Sequence, residues 1–99
     1  MNIFDLPATP IVEELTTILA GRGNARVERI VSAGQVSGWY DQADTEFVVL
    51  LEGSATLEYD GGRIVNLKRG DTLTIEPHER HRVSYTSDNP PCIWLCVFF

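Results

Sequence analysis

The stretch GQVSGWYDQADTEFVVLLEG, residues 34–53, joins a glycine-containing turn to an apolar strand. A similar arrangement recurs in GDTLTIEPHERHRVSY, residues 70–85. Each stretch places a side chain that can bind a metal or carry a proton beside its strand, Glu46 in the first and His81 in the second. We therefore expect any chemistry of this chain to centre on Glu46 and His81.

From Ala25 onward, short runs of alternating or continuous apolar residues are separated by turn signals, of which Asp60-Gly61-Gly62 is the clearest hairpin. A period of two is typical of strands. Short strands with frequent turns are typical of a sandwich or a closed barrel. The pattern predicts an all-β fold with strands at 26–32, 35–40, 46–52, 54–59, 63–67, 72–76, 80–86 and 92–98.

The segment before Ala25 has a helical signature. Thr9 and Pro10 suit an N-cap and a first helical position, Glu13 and Glu14 suit the positive end of a helix dipole, and Gly21 suits the end. Helical spacing would place four apolar residues on one face: Ile11, Leu15, Ile18 and Leu19. We predict one short amphipathic helix packed on the outside of the sheet.

The length of 99 residues predicts one domain, in which residues 1–24 form an arm and the short helix and residues 25–99 form the barrel. The net charge is −6 and the eight basic residues are scattered, which argues against binding to nucleic acid or to an anionic membrane. No signal-like or membrane-spanning apolar run is present. We expect a cytoplasmic protein.

Cys92 and Cys96 lie on one face of the predicted last strand, about 13 Å apart if the strand is extended. This separation is too long for a disulfide, and the spacing is a poor match to zinc-binding cysteine pairs. We expect buried free thiols. The same strand, 92–98, is apolar on both faces, so one face should be core and the other should be covered by the helix or by a second copy in a homodimer.

The first stretch resembles the first motif of the cupins, G-x5-H-x-H-x3-4-E-x6-G. Gly34, Glu46 and Gly53 match with every spacing kept, while Tyr40 and Gln42 occupy the two histidine positions. The resemblance implies a conical double-stranded β-helix, a jelly-roll barrel with a site at its mouth.

The second stretch resembles the second cupin motif, G-x5-P-x-G-x2-H-x3-N. Gly70 and His81 match, Glu76 and His78 stand where proline and glycine are usual, and Tyr85 stands at the asparagine. The resemblance extends over about residues 25–98 and is strongest to small single-domain cupins without an assigned function.

In metal-binding cupins, two histidines, the glutamate and the second-motif histidine hold iron, manganese, zinc, nickel or copper. By this resemblance, Glu46 and His81 would hold a divalent ion, with Gln42 as a weaker third ligand. Asp41, Asp44 and His78 are alternative ligands if the hairpin is offset. The competing interpretation is a hydrogen-bonded Glu46/His81 pair without metal.

The resemblance thus implies a cupin barrel that binds a small polar ligand, and optionally a divalent metal, at the barrel mouth, without indicating the substrate. The first alternative is a metal-dependent oxygenase or isomerase acting on a small organic acid or sugar derivative, with Tyr40 or Asp41 as proton donor. The second alternative is a module that senses a ligand without turnover. Fold alone does not choose among them.

Overall fold

The computed structural model describes residues 1–99 and consists of β-strands joined by turns and loops, with no helix. A helix with the length and apolarity needed to span a bilayer is therefore absent. The strands are β1 (Leu15–Arg22), β2 (Ala25–Ser32), β3 (Glu46–Glu52), β4 (Ser54–Tyr59), β5 (Ile64–Lys68), β6 (Thr72–Ile75), β7 (His81–Thr86) and β8 (Cys92–Phe98).

The strands form two antiparallel sheets, one in the order β1-β2-β8-β3-β6 and the other in the order β5-β4-β7. The core draws on both sheets and consists of Val48, Leu50, Ala55, Leu57, Leu67, Ile75, Cys92, Trp94, Cys96 and Phe98. This arrangement confirms the predicted all-β fold. Both cysteines are buried free thiols, as predicted.

The predicted N-terminal helix is wrong, because its second half is strand β1 and its first half is irregular. β1 pairs with β2 from Leu15↔Val31 to Arg22↔Ala25, so its backbone hydrogen bonds run to a neighbouring strand. The β-branched run Thr16 to Ile18 favours an extended chain. Gly23, with φ 58°, supports the tight turn into β2. The spacing of the apolar residues is compatible with either a helix or a strand, and pairing with β2 selects the strand.

The predicted strand at 35–40 is also not formed, although the segment runs beside β7. A single bridge joins Tyr40 to His81, with backbone hydrogen bonds in both directions of 2.7 and 3.0 Å. Ser37 takes part through its side chain, since its Oγ accepts the Val83 amide at 2.8 Å. A side-chain acceptor replaces a backbone carbonyl there, which interrupts the regular ladder.

The five-stranded sheet has an inner face toward the core and an outer face. Register places Arg26, Glu28 and Ile30 of β2 on the inner face, opposite Phe98, Cys96 and Trp94 of β8. On the outer face, Arg29 donates to the backbone carbonyls of Ile3 and Asp5 at 3.3 and 2.7 Å. An irregular N-terminal arm, rather than a helix, thus lies against part of the outer face.

Candidate functional site

A cavity of about 320 Å³ opens between the two sheets and is lined by both polar and apolar side chains. Its apolar wall includes Val48, Leu57, Ile75, Val83 and Trp94. The polar and charged lining consists of Glu14, Thr16, Arg26, Glu28, Ser37, Tyr40, Gln42, Glu46 and His81. Of the four residues predicted for the site on the first stretch, Tyr40, Gln42 and Glu46 line this cavity together with His81 from the second stretch. Asp41 does not line it.

Strand register brings the two principal residues into the cavity from opposite sheets. Glu46 begins β3 and lies opposite Phe98 on β8 and Ile75 on β6, on the inner face. His81 begins β7 and pairs with Tyr59 on β4. Both residues stand at strand starts, where the barrel opens, so the site is at the mouth of the barrel rather than deep in the core.

His81 lies in the cavity wall, with only 3% of its surface exposed. Its Nδ1 lies 2.7 Å from the carbonyl oxygen of Glu79. A carbonyl only accepts, so Nδ1 carries the proton, and in the neutral ring Nε2 is an acceptor. No protein group hydrogen-bonds to Nε2, which leaves this nitrogen available to a bound molecule.

Glu46 is half-buried and is held by the first stretch itself, because the Gln42 amide donates to its Oε1 at 3.1 Å. The Cys96 thiol lies beside it in the cavity lining. Burial, and then the charge of Glu46, raises the pKa of Cys96 far above its ordinary value of 9.0. The thiol is therefore protonated and unreactive at neutral pH.

Tyr40 lines the cavity, whereas Asp41 does not. Burial, followed by the charges of Glu14 and Glu46, raises the pKa of Tyr40 above 10.0, so the phenol remains protonated and is a potential proton donor. Asp41 is exposed, and its Oδ1 accepts a hydrogen bond from His78 Nδ1 at 2.7 Å. Of the two predicted proton donors, the structure therefore places Tyr40 in the cavity and Asp41 outside it.

Three charged residues that line the cavity were not predicted from the sequence. Arg26 and Glu28 alternate on the inner face of β2, but alternation alone did not reveal which face of that strand points inward. Glu14 precedes β1, and the helical interpretation assigned it to a helix N-terminus. Had residues 14–18 been interpreted as a strand, Glu14 and Thr16 would have fallen on one face with the other site residues.

The comparisons agree with this architecture. Residues 26–98 match the family model described as a cupin domain. The chain belongs to the cupin family. A crystal structure from Ralstonia eutropha JMP134, of a protein provisionally named a mannose-6-phosphate isomerase, is 36% identical to this cupin. The match has a TM-score of 0.89 and covers 99% of this chain and 94% of that one.

More distant crystal structures share the fold of this cupin. A cupin superfamily protein from Desulfitobacterium hafniense DCB-2 is 16% identical, with a TM-score of 0.81 over 95% of this chain and 83% of that one. An RmlC-like cupin from Shewanella frigidimarina NCIMB 400 is 19% identical, with a TM-score of 0.75 over 86% of this chain and 74% of that one. A search of curated proteins found no match.

The side chains of this cupin do not fit the four-ligand metal centre of the metal-binding members. Only Glu46 and His81 supply usual ligands at the four motif positions. Tyr40 is a poor ligand because its pKa is raised, and the Gln42 amide is directed to Glu46. The structure contains no group of three or more His, Cys, Asp or Glu side chains with the geometry to hold a metal ion.

Proposed function

We propose that this cupin binds a small polar organic molecule in the cavity at the barrel mouth, with Glu46, His81, Gln42 and Tyr40 as its polar contacts. The observation that carries the proposal is His81, a nearly fully buried imidazole whose Nε2 has no protein partner in a cavity of 320 Å³. His81 lines the cavity and its Nε2 has no protein partner, so this nitrogen can hydrogen-bond to a ligand.

The size and lining of the cavity support a small ligand. Its volume is at the lower end of the range for small-molecule sites, and its apolar wall with a few converging polar groups is typical of them. The family includes enzymes, storage proteins and sensors, so binding without turnover, as in a ligand-sensing module, is included in this proposal.

A thermal-shift screen of small polar molecules tests the proposal. A ligand at about 100 times its Kd should stabilise the protein by about 2.7 kcal/mol and raise Tm by about 10 °C or more. Tyr40→Ala should weaken binding about fivefold by removing a cavity contact. Tyr85→Ala is the matched control, since Tyr85 is as exposed as Tyr40, at 51% against 47%, and lies outside the cavity. An equal loss of ligand affinity in Tyr40→Ala and Tyr85→Ala would contradict binding in this cavity.

A second candidate is enzymatic: a metal-dependent isomerase or oxygenase acting on a sugar derivative or small organic acid, with Tyr40 as the proton donor. The 36% identity to a protein provisionally named an isomerase favours this alternative, as does the presence of a carboxylate, an imidazole and a phenol in one cavity. Product formation from mannose 6-phosphate, and oxygen consumption with small organic acids, each measured with and without added Fe²⁺ or Mn²⁺, tests it directly.

Metal dependence is tested separately. With two usual ligands, any divalent ion should be weakly held, so we expect sub-stoichiometric metal after purification without chelator. EDTA should leave Tm unchanged. One equivalent of Fe, Mn, Zn or Ni that is retained through dialysis by the wild type and lost by Glu46→Ala and His81→Ala would establish a metal centre and contradict this expectation.

A further inference from the structure

The charge inside the cavity constrains its ligand more narrowly than the proposed function does. Three carboxylates line it, Glu14, Glu28 and Glu46, against one guanidinium, Arg26. Strand register explains how they meet. Glu28 and Glu46 are on the inner face of the five-stranded sheet, flanking β8, and Glu14 lies two residues before Thr16, which faces Ile30 on the same side.

The single guanidinium is already neutralised by the protein. Arg26 Nε donates to Glu28 Oε2 at 2.5 Å, and Arg26 Nη1 donates to Asp44 Oδ2 at 3.5 Å. The guanidinium also lies 4.0 Å from the centre of the Phe98 ring. Arg26 is therefore committed to two carboxylates and an aromatic face, and it offers little attraction to an incoming anion.

Glu14 and Glu46 have no cationic partner. Glu46 accepts from the neutral amide of Gln42, and Glu14 accepts from the hydroxyl of Ser32 at 2.9 Å. Neither carboxylate forms a salt bridge. Their charges also raise the pKa of Tyr40, after the effect of burial. Two uncompensated negative charges thus act on the same space.

Glu14 is exposed, but its carboxylate is hydrogen-bonded to a buried serine. Ser32 is completely buried, and its Oγ accepts the indole N–H of Trp94 at 3.2 Å while donating to Glu14. This chain of hydrogen bonds links a core tryptophan to a carboxylate at the cavity. It anchors an acceptor at the edge of the cavity, although Glu14 itself remains exposed.

His81 adds an independent requirement. Its Nδ1 donates to the Glu79 carbonyl, so Nε2, the unpartnered nitrogen of a 97% buried residue, is an acceptor in the neutral ring. The carboxylates of Glu14 and Glu46, which lack a cationic partner, and the Nε2 of His81 all accept hydrogen bonds, so they favour a ligand that donates them. An ammonium group supplies both several N–H donors and the compensating charge, whereas a phosphate or carboxylate supplies neither.

We propose that the ligand of this cavity is a small organic cation, an ammonium compound with an apolar portion, bound by Glu14, Glu46 and His81. This inference rests on the proposed function and weighs against the sugar-phosphate form of the enzymatic alternative. An organic cation fits better than a metal ion because the cavity has an apolar wall and no cluster of three metal-binding side chains.

Three probes of equal size and different charge test the proposal: benzylammonium, benzyl alcohol and benzoate. Each is titrated into the protein in EDTA at neutral pH, with binding followed by calorimetry and by the His81 ring signals in NMR spectra. Benzylammonium should bind at least about tenfold more tightly than benzyl alcohol, and benzoate more weakly than both. Mannose 6-phosphate is a fourth arm and should not bind.

The variants Glu14→Gln and Glu46→Gln should each weaken benzylammonium about five- to tenfold while changing benzyl alcohol binding little. Glu13→Gln is the matched control, because it removes the same charge from an exposed side chain outside the cavity. Equal weakening by Glu13→Gln would mean that net charge, not the cavity, attracts the cation, and would overturn the proposal.

The outcomes separate this inference from the proposed function. If benzyl alcohol, benzoate or mannose 6-phosphate binds as tightly as benzylammonium and shifts the His81 signals, the cavity is a ligand site but its selectivity for cations is wrong. If none of the four probes shifts the His81 signals, the inference is wrong, whereas the proposed function is decided separately by the thermal-shift screen.

Discussion

At the scale of single residues, Gly53 explains why a glycine ends the first motif. Its φ is 90°, and a Cβ placed there would lie 2.9 Å from the backbone Cα of Cys92 and 2.8 Å from Ser87 Oγ. The cost has two sources, a backbone conformation that side chains disfavour and an overlap with a buried strand. The glycine therefore allows β3 to turn into β4 against the start of β8.

Gly53→Ala should lower the free energy of unfolding by about 3 kcal/mol, about 1 from the backbone conformation and about 2 from the overlap. Gly34→Ala is the control, since Gly34 has a φ of 89° but open space around it, so only about 1 kcal/mol should be lost. Urea unfolding of the two variants measures the difference. Equal losses would show that contact with Cys92 is unimportant.

Buried acids that are neutral in the folded protein predict how stability depends on pH. Burial is the main cause that raises the pKa values of Cys96 and Tyr59 above their ordinary values of 9.0 and 10.0. These groups ionise first in the unfolded chain as pH rises. Their contribution to stability is therefore complete below the unfolded pKa values of 9.0 and 10.0, and it is lost progressively as pH rises from there toward the raised pKa values of the folded protein.

Tyr59→Phe checks this expectation, because the buried Tyr59 hydroxyl has no hydrogen-bond partner. The variant should be as stable as the wild type or more stable at neutral pH, since it removes an unsatisfied polar group. It should also lose less stability between about pH 8 and pH 11, with a difference of about 1 kcal/mol. If chemical denaturation shows that the wild type and Tyr59→Phe lose stability equally as pH rises, the raised pKa of Tyr59 is contradicted.

At the scale of elements, the segment 35–40 is held beside β7 by side-chain bonds as well as by backbone bonds at Ser37 and Tyr40. Ser37 Oγ accepts the Val83 amide, Thr86 Oγ1 donates to the Gln35 carbonyl at 2.6 Å, and Tyr40 bridges to His81. This segment carries Tyr40 to the cavity. A loss of its anchoring should therefore affect both stability and the site.

Ser37→Ala should destabilise the protein by about 1–2 kcal/mol, because it leaves the Val83 amide without an acceptor. Amide hydrogen exchange should speed up at Val83 and Tyr40 but not in β8. Ser84→Ala is the control, since Ser84 makes only a long side-chain bond of 3.4 Å to the Thr56 carbonyl. Equal effects of the two changes would argue against a specific anchor.

At the scale of the whole molecule, the outer face of the five-stranded sheet carries the expectation of a homodimer. Register places Val27, Phe47, Val49, Leu95 and Val97 together on this face, and 37% of Phe47 is exposed. The N-terminal arm bonds to this face at Arg29. We propose that a second copy of the chain covers the remaining apolar strip.

Light scattering coupled to size-exclusion chromatography tests the dimer. Phe47→Glu should shift the mass from that of a dimer to that of a monomer, because burying an unpaired charge in an apolar interface is costly. Ile64→Glu is the control, an exposed apolar residue on the three-stranded sheet that should leave the mass unchanged. A monomeric wild type would refute the proposal.

By itself, the sequence determined the barrel and the place of Glu46 and His81. Strands such as 46–52 and 92–98 have strong apolar patterns, and the motif spacing sets the turns between them, so local chemistry decides these elements. Tertiary structure alone decided that residues 15–22 form a strand, since apolar spacing there suits either form and only pairing with β2 selects one. The tertiary structure also brings Glu14, Arg26 and Glu28 into the cavity, because strand pairing joins segments that are distant in sequence. Which charges compensate one another in the cavity therefore depends on that pairing.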